Sequence, residues 1–490
     1  MGGGSKKKNH NKVKLCFIGS NSVGVTGSCI YGVFKEEKFL IELGGVQDGT
    51  VLENYRANKA LLDRIDFENI DYIFGNHFHQ DHIMLILGAT NRGFKGKIIM
   101  NHSTARIAKV LWEDSCHIME NDIKYLRQSK GMKLDHLYKI DDIAETMDCV
   151  YEYEESKIHK LSERISFRFL KNNHVLGSTS LEMFFKDDNS RVHKLYYSSD
   201  LGTTLVDKYF VFNEFEKCTN TNIAILESTY NSKDREAITK KARKEELKLL
   251  ENTIVETLTN KRANVIMPCF SADRTQNMLV HIKKIFDKHP ELQNIKVYLD
   301  GKLTSKVMKI YGELLEGEQK ELFDSIINWK NLKMVSDYNT GTRLILSDKE
   351  PHLTISSSGM ADKGHVLEHI KQAVKNNNDV IIFSGYSSPT SLATRLKEKI
   401  VNPNKKNILI EKNNYPFNCN VIELKTFSSH IQRQELINYI KEMNVSDKVI
   451  LVHGEKKGRD ILAKEAIEEC MKVNKTTRVV SAERNMIIEF

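Results

Sequence analysis

Four side chains able to ligate a metal fall within six residues, His77-Phe78-His79-Gln80-Asp81-His82. Two imidazoles at i and i+2, followed by a carboxylate beside a third imidazole, suit two adjacent ions better than one. Nitrogen and oxygen donors in this mixture match borderline-soft zinc, and two ions about 3.5–4 Å apart can activate water and stabilise a displacement at phosphorus. Other candidates stand singly along the chain. His174, Asp200, Glu227 and His453 each come at or just beyond the end of an apolar run, at 167–170, 195–197, 223–226 and 449–452. In α/β proteins, ligand-binding residues commonly occupy such C-terminal strand ends. One histidine there is usually structural, but several in equivalent places argue for a shared site.

The elements that must hold these residues alternate along the chain. Short apolar or β-branched runs predict strands at 14–18, 39–43, 72–74, 97–100, 165–170, 194–197, 223–226, 264–267, 296–299, 352–355, 379–383, 421–424 and 448–452. Apolar residues at helical spacing predict amphipathic helices at 240–258, 275–288, 304–315, 365–375, 434–443 and 460–472. This is an α/β chain. Its 490 residues exceed one ordinary core and suggest two or three domains. Forty per cent hydrophobic and 28% charged residues with only six prolines exclude a mainly disordered chain. The net charge of +8 permits a polyanionic partner without requiring one. Eight scattered cysteines without a CxxC pair fit a reducing compartment, and the expected location is cytoplasmic. There is no run of 18 apolar residues and no signal-peptide pattern at the N-terminus, so no membrane partner is expected. Gly2 to Ser5 reads as an artificial linker, and residues 1–12 as that linker plus a solvated basic tail outside the fold.

The ordered motifs resemble the β-CASP group of metallo-β-lactamase-fold nucleases, from about residue 13 to 490. This group includes ribonuclease J, archaeal and bacterial single-chain ribonucleases, and the endonuclease subunit of the pre-mRNA cleavage and polyadenylation factor. Gly19 to Cys29 resembles the family's opening glycine-rich hairpin and 77–82 its second motif. Asn173 to Ser178 resembles the third and Ser199 to Gly202 the fourth. Leu226 to Tyr230 is similar to motif A of the β-CASP cassette, Pro268 to Gln276 and Ser357 to Met360 to its internal blocks, Phe427 to His430 to motif B, and Leu451 to Glu455 to motif C.

The resemblance implies an αββα sandwich made of residues 13–205 and 405–490, with an inserted α/β β-CASP domain at 206–404. It implies two Zn2+, with Mn2+ as a substitute: one ion on His77, His79 and His174, the other on Asp81, His82 and His453, and Asp200 bridging. It places His430 as general acid with Glu227 orienting it, and Asp81 and Asp200 in the catalytic machinery. Arg274, with Ser357 and Ser358, would hold substrate phosphates, and Phe270 or Tyr386 would stack on bases. A histidine in motif C, His453, favours RNA over DNA. The implied activity is a zinc-dependent ribonuclease acting on single-stranded RNA, primarily an endonuclease, with 5′ exonuclease action, homodimer formation, RNA sequence preference and pathway left open. The chain ends soon after His453, which points away from ribonuclease J and toward the shorter, cleavage-factor-like members. The competing readings are a catalytically weak RNA-binding scaffold subunit, a DNA nuclease and a small-molecule hydrolase of the same fold. Four departures from the family pattern touch substrate contacts and the surroundings of the ligands: Glu42 for Asp, Gln432 for an acidic residue, Lys363-Gly364 for Gly-Gly, and Gly301-Lys302 for Ser-Pro. His365 and His369, at i and i+4, lack an evident carboxylate partner and read as an ordinary cassette helix; His102 likewise reads as structural.

Overall fold

A computed structural model describes residues 11–490 apart from Val23, Asn213, 233–237 and Tyr386, with the side chains of Asn21, Tyr338 and Asn339 also set aside. The expected linker at the N-terminus and the stacking role considered for Tyr386 lie outside the described residues.

The chain divides into two compact units. The first holds the residues up to Thr203, the stretch from Val211 through the strand Asn220–Glu227 and its following turn, and His430–Phe490. Two seven-stranded sheets form its centre. In order across the first sheet lie Ile487–Glu489, Lys14–Phe17, Ile30–Phe34, Glu37–Ile41, Tyr72–Gly75, Lys97–Met100 and Val150–Glu152. The second runs Val479–Ser481, Asn444–Val452, Asn220–Glu227, Val192–Tyr197, Thr179–Lys186, Ile165–Lys171 and Ile158–Lys160. Strands exposed on one face alternate, as Ile30–Phe34 does, burying Ile30 and Phe34 with Gly32 between. Asn220–Glu227, flanked by parallel neighbours on both sides, buries Ile223 to Glu227 without a break.

One core fills the space between the sheets: Phe17, Phe34, Phe39, Phe74 and Ile99 meet Phe167, Phe185, Tyr197, Ile225 and Ile450. A second core, containing Leu226, Leu451, Ile437, Tyr439 and Leu462, packs the helices Arg433–Glu442 and Lys456–Met471 onto the second sheet. The helices Val51–Leu62, His102–Lys130 and Asp142–Asp148 pack against one another in the first sheet's outer layer, the longest burying Ile107, Trp112, Ile123 and Leu126. The result is the expected four-layer αββα arrangement.

The second unit comprises Thr204–Phe210 and Ile238–Ser429. Its sheet is parallel throughout, in the order Leu332–Val335, Lys296–Asp300, His352–Ser356, Val265–Pro268, Val380–Phe383 and Asn420–Glu423. Strand pairing corrects the domain limits read from the sequence. Residues 211–232 fall with the first unit because Asn220–Glu227 pairs inside its second sheet, and 405–429 fall with the second because Asn420–Glu423 extends the parallel sheet beside Val380–Phe383. Among the described residues of the Gly19 to Cys29 segment no strands pair as a hairpin. The segment is a loop closed by Gly19 N–H on the Cys29 carbonyl (2.9 Å), and the hairpin follows at Ile30–Phe34 and Glu37–Ile41. Among the described residues no helix is long and apolar enough to cross a membrane.

Candidate metal centre

The strand Tyr72–Gly75 delivers His77, and one helical turn, Gln80–Ile83, then projects Asp81 and His82. Neighbouring backbone clamps that turn. Ser28 N–H donates to the Asp81 carbonyl (2.9 Å), Leu43 N–H to that of His82 (2.9 Å) and Gly45 N–H to that of Gln80 (3.0 Å). Gly44 lies so close that a Cβ there would fall 1.7 Å from the Asp81 carbonyl oxygen. Only glycine permits this approach.

The other candidates arrive from the second sheet. Asp200 follows Val192–Tyr197, Glu227 ends its own strand, His453 follows Asn444–Val452, and His174 follows Ile165–Lys171. Buried Asn172 ties two of these loops together. Its amide donates to the carbonyls of Ser198 (3.3 Å) and Asp200 (2.9 Å), while its oxygen accepts from His174 N–H (3.2 Å) and Ser178 Oγ (2.5 Å).

These loops bring seven ligand-type residues to one buried place. One oxygen of Asp200, Oδ2, lies 3.5 Å from His77 Nε2, 3.4 Å from His82 Nε2 and 3.6 Å from His174 Nε2. The other, Oδ1, lies 3.5 Å from His453 Nδ1. His79 Nδ1 is 3.1 Å from His77 Nε2 and 3.4 Å from His174 Nε2, and Asp81 Oδ2 is 3.3 Å from His453 Nε2 and 3.5 Å from His82 Nε2. Two sets emerge, His77, His79, His174 and Asp200, and Asp81, His82 and His453. Zinc bonds of about 2.0–2.2 Å in a tetrahedron would place ligand atoms about 3.3–3.6 Å apart, the spacing seen here. Among the described residues, Asp200 Oδ1 and His82 Nε2 are buried and find no hydrogen-bond partner, an arrangement that a cation between them would resolve. The residues fit a divalent metal.

The electrostatics divide along the same line. Burial, with His77 beside it, pushes the His79 imidazole down to about 3, and burial holds His77 and His174 down as well, so all three are neutral near pH 7, the form able to ligate a metal. At His453 burial is outweighed by Asp200 and Asp81, which raise it to about 9; at His82 burial is outweighed by Glu42, Asp200 and Asp81. Burial would likewise raise Asp81 and Asp200, yet the surrounding imidazoles hold both carboxyls well below the usual range. Protons on His82 and His453 thus balance buried carboxylates where a dication would take their place.

Glu42, marked in the sequence only as a departure from the family pattern, organises the rings around it. Fully buried, it accepts from His82 Nδ1 (2.6 Å), Tyr197 O–H (2.5 Å) and Ser199 Oγ (2.7 Å), and Ser199 Oγ in turn lies 3.1 Å from His77 Nδ1. A carboxylate only accepts, so this chain fixes protons on the Nδ1 atoms of both rings and turns both Nε2 atoms inward.

Beside these sets, Glu227 Oε1 is 3.2 Å from His430 Nδ1 and also accepts Leu201 N–H (2.6 Å), while Thr229 N–H binds Glu227 Oε2 (3.2 Å). An antiparallel bridge between Gly202 and His430 seats the histidine, and Gln432 donates its amide to the His430 carbonyl (2.8 Å) while capping the helix Arg433–Glu442. Tyr230 packs edge-on to the His430 ring at 5.7 Å.

Arg274, Ser357 and Ser358 belong to the second unit, at or near the C-terminal ends of its strands Val265–Pro268 and His352–Ser356, and are not among the residues of this cluster. His365 and His369 do have a carboxylate partner: Asp300 accepts from His365 Nδ1 and His369 Nε2, both at 2.7 Å. Each ring takes a separate oxygen, as in a structural clamp rather than around an ion. His102 pairs with Glu152 on the surface (2.6 Å).

Residues 275–396 match the Beta-Casp domain, and 414–476 the Zn-dependent metallo-hydrolase RNA specificity domain. Both domains are those of the β-CASP nucleases of the metallo-β-lactamase fold. The chain is a metal-dependent hydrolase. An RNase J-like protein of Methanocaldococcus jannaschii is 28% identical over 81% of this chain and 84% of its own length. Endoribonuclease YSH1 of Candida glabrata is 24% identical over 92% of the chain, which spans 56% of that longer protein. A crystal structure of an Enterococcus faecalis V583 protein of unknown function shares the fold, with a TM-score of 0.52, 13% identity, and coverage of 98% of this chain and all of that one.

Proposed function

We propose that the protein is a zinc-dependent ribonuclease that hydrolyses phosphodiester bonds of single-stranded RNA. The observation that carries this reading is the placement of Asp200 between two ligand sets, with the Glu227–His430 pair next to it. Two zinc ions held by His77, His79, His174, Asp81, His82, His453 and a bridging Asp200 would supply Lewis acidity and an activated water for in-line displacement at phosphorus.

The chain's own part is positioning and proton transfer. Glu227 accepts the Nδ1 proton of His430, which fixes the ring and leaves Nε2 to deliver a proton to the departing ribose oxygen. Glu42 and Ser199 keep the inward lone pairs of His77 and His82 available. Arg274, Ser357 and Ser358 are assigned to phosphate groups of the bound strand. The RNA specificity match and the ribonuclease relatives support RNA as the polymer, as does a histidine at position 453.

Digestion of end-labelled RNA and matched DNA, with metal content measured in parallel, tests the proposal. Wild type is expected to cut RNA, to lose activity in chelator and to regain it with Zn2+ or Mn2+. His430→Ala is expected to cut about 10²–10⁴-fold more slowly with its metal content intact. Preference for DNA, or two bound ions with RNA left whole, would overturn it, the second result in favour of a scaffold.

A further inference from the structure

The turn after Asn220–Glu227 and the loop after Asn444–Val452 lie side by side in the first unit, because their strands are parallel neighbours. Four contacts tie them. Ser228 Oγ donates to the Val452 carbonyl (2.7 Å), Ser228 N–H to that of His453 (3.3 Å) and Asn231 Nδ2 to that of Glu455 (3.1 Å), while Thr229 Oγ1 lies 2.9 Å from His453 Nδ1. The fit is close, for a Cβ on Gly454 would fall 2.3 Å from the Ser228 carbonyl oxygen and one on Gly458 1.9 Å from Asn231 Oδ1. The first three contacts set the course of the backbone. The fourth reaches the imidazole itself.

With the ring placed there, either of its nitrogens could face an ion. Nε2 lies 3.3 Å from Asp81 Oδ2 and Nδ1 lies 3.5 Å from Asp200 Oδ1, both within the spacing of donors around one zinc. A nitrogen that keeps its proton cannot ligate. The Thr229 hydroxyl oxygen is nearer to Nδ1 than Asp200 Oδ1 is and accepts a proton there, which leaves the Nε2 lone pair turned toward Asp81. A ligating histidine typically donates its second N–H to an oxygen, and loss of that partner costs about 10–100-fold in metal affinity. His82 has Glu42 for this and His77 has Ser199. We infer that Thr229 is a positioning residue that commits His453 to ligate through Nε2, in the set it forms with Asp81 and His82, by accepting the Nδ1 proton. Thr229 also donates its N–H to Glu227 Oε2 (3.2 Å), so its hydroxyl serves the metal side and its backbone the Glu227–His430 pair. The inference rests on the reading of the cluster as a two-metal centre.

The test is the zinc affinity of the full chain, by competition against a fluorescent chelator, for wild type, Thr229→Val, Thr229→Ser, His453→Ala and the double variant Thr229→Val/His453→Ala. Valine keeps the shape and the backbone N–H and removes only the hydroxyl. It is expected to weaken one of the two ions about tenfold, the same ion that His453→Ala weakens, and to leave the other at wild-type affinity. Thr229→Ser restores the loss. In the His453→Ala background Thr229→Val has no further effect, because the hydroxyl acts through that ring alone. With Co2+ in place of zinc, the visible absorption bands shift in Thr229→Val and return in Thr229→Ser. The inference is overturned if Thr229→Val binds both ions as tightly as wild type or if its loss persists without His453. It is overturned too if both affinities fall together with a lowered unfolding midpoint of the metal-free protein, the signature of a packing role. Wild type that holds fewer than two ions would sink the two-metal reading and the inference with it, whereas two ions in wild type and an unaltered valine variant sink the inference alone.

Discussion

Substitution of Glu42 by Gln keeps the shape of the side chain and removes one acceptor from a fully buried group that serves three donors. The amide nitrogen must face one side or the other. At the Oε2 position it would meet two donors, His82 Nδ1–H and Tyr197 O–H, within a space set by contacts of 2.6 and 2.5 Å. At Oε1 it meets only Ser199 Oγ, which can accept instead of donate by turning its proton toward His77 Nδ1, 3.1 Å away. The second arrangement costs less. It drives the His77 proton to Nε2, where it points at His79 Nδ1 (3.1 Å) and Asp200 Oδ2 (3.5 Å) and blocks the inward lone pair. The variant is therefore expected to bind the ion of the His77 set about 10–100-fold more weakly, roughly 1.4–2.7 kcal/mol. The ion of the His82 set loses less, since His82 keeps an acceptor though a neutral one. Competition against a fluorescent zinc chelator, with stoichiometry by mass spectrometry, resolves the two affinities. Two ions bound with wild-type affinity would refute the reasoning, and a larger loss at the His82 set would show the amide to be turned the other way.

Two further outcomes follow from the same geometry. Gly44→Ala would place a methyl 1.7 Å from the Asp81 carbonyl oxygen, so the ligand turn must shift; lowered zinc stoichiometry together with a lowered unfolding midpoint is expected, and an unaltered protein by both measures would show the turn to be compliant. In the second unit burial would raise the Asp300 carboxyl, but its bonds with His365 and His369 hold it at about 2. Because the folded value lies below the ordinary one, this stabilisation, about 2 kcal/mol, is present above about pH 4 and is lost as pH falls toward 2. Asp300→Asn should lower the unfolding midpoint at pH 7 and flatten the acid limb of the stability curve between those values, and an unchanged acid limb would remove Asp300 as its source.

The candidate cluster was legible because metal chemistry admits few residue types, and His77, His79, Asp81 and His82 stand together in the sequence. The distant candidates, His174, Asp200 and His453, were legible through strand ends, since the strands Ile165–Lys171, Val192–Tyr197 and Asn444–Val452 leave apolar runs that stop shortly before them. Short edge strands such as Val150–Glu152 and Ile158–Lys160 left no such run, being partly or wholly exposed. The helix His102–Lys130 escaped notice although Asn101 caps its start and Gly131, with φ 65°, ends it. Asn172, Ser199 and the three partners of Glu42 were beyond reach for another reason. A hydrogen bond between distant residues leaves no periodicity, so nothing in the spacing of Glu42, Tyr197 and His82 marks them as one group.

Strand ends also explain why the ligands converge. Glu42, Asn173, Ser199 and His453 all adopt left-handed backbone, with φ between 51° and 62°, and each stands just after a strand. Continued extension would keep side chains alternating between the two faces of a sheet, carrying neighbouring residues apart. A left-handed residue ends that alternation within one step and lets His174 and Asp200 follow directly on Asn173 and Ser199. Such backbone costs on the order of 1–3 kcal/mol for residues other than glycine, less for asparagine. At Glu42 and Ser199 the same residues supply the hydrogen bonds that orient His82 and His77, so the strained backbone and the selection of ligand lone pairs reside in the same side chains. A glycine at either position would relax the backbone and lose the orientation, which explains on physical grounds why the strain is carried by residues that can accept or relay a proton.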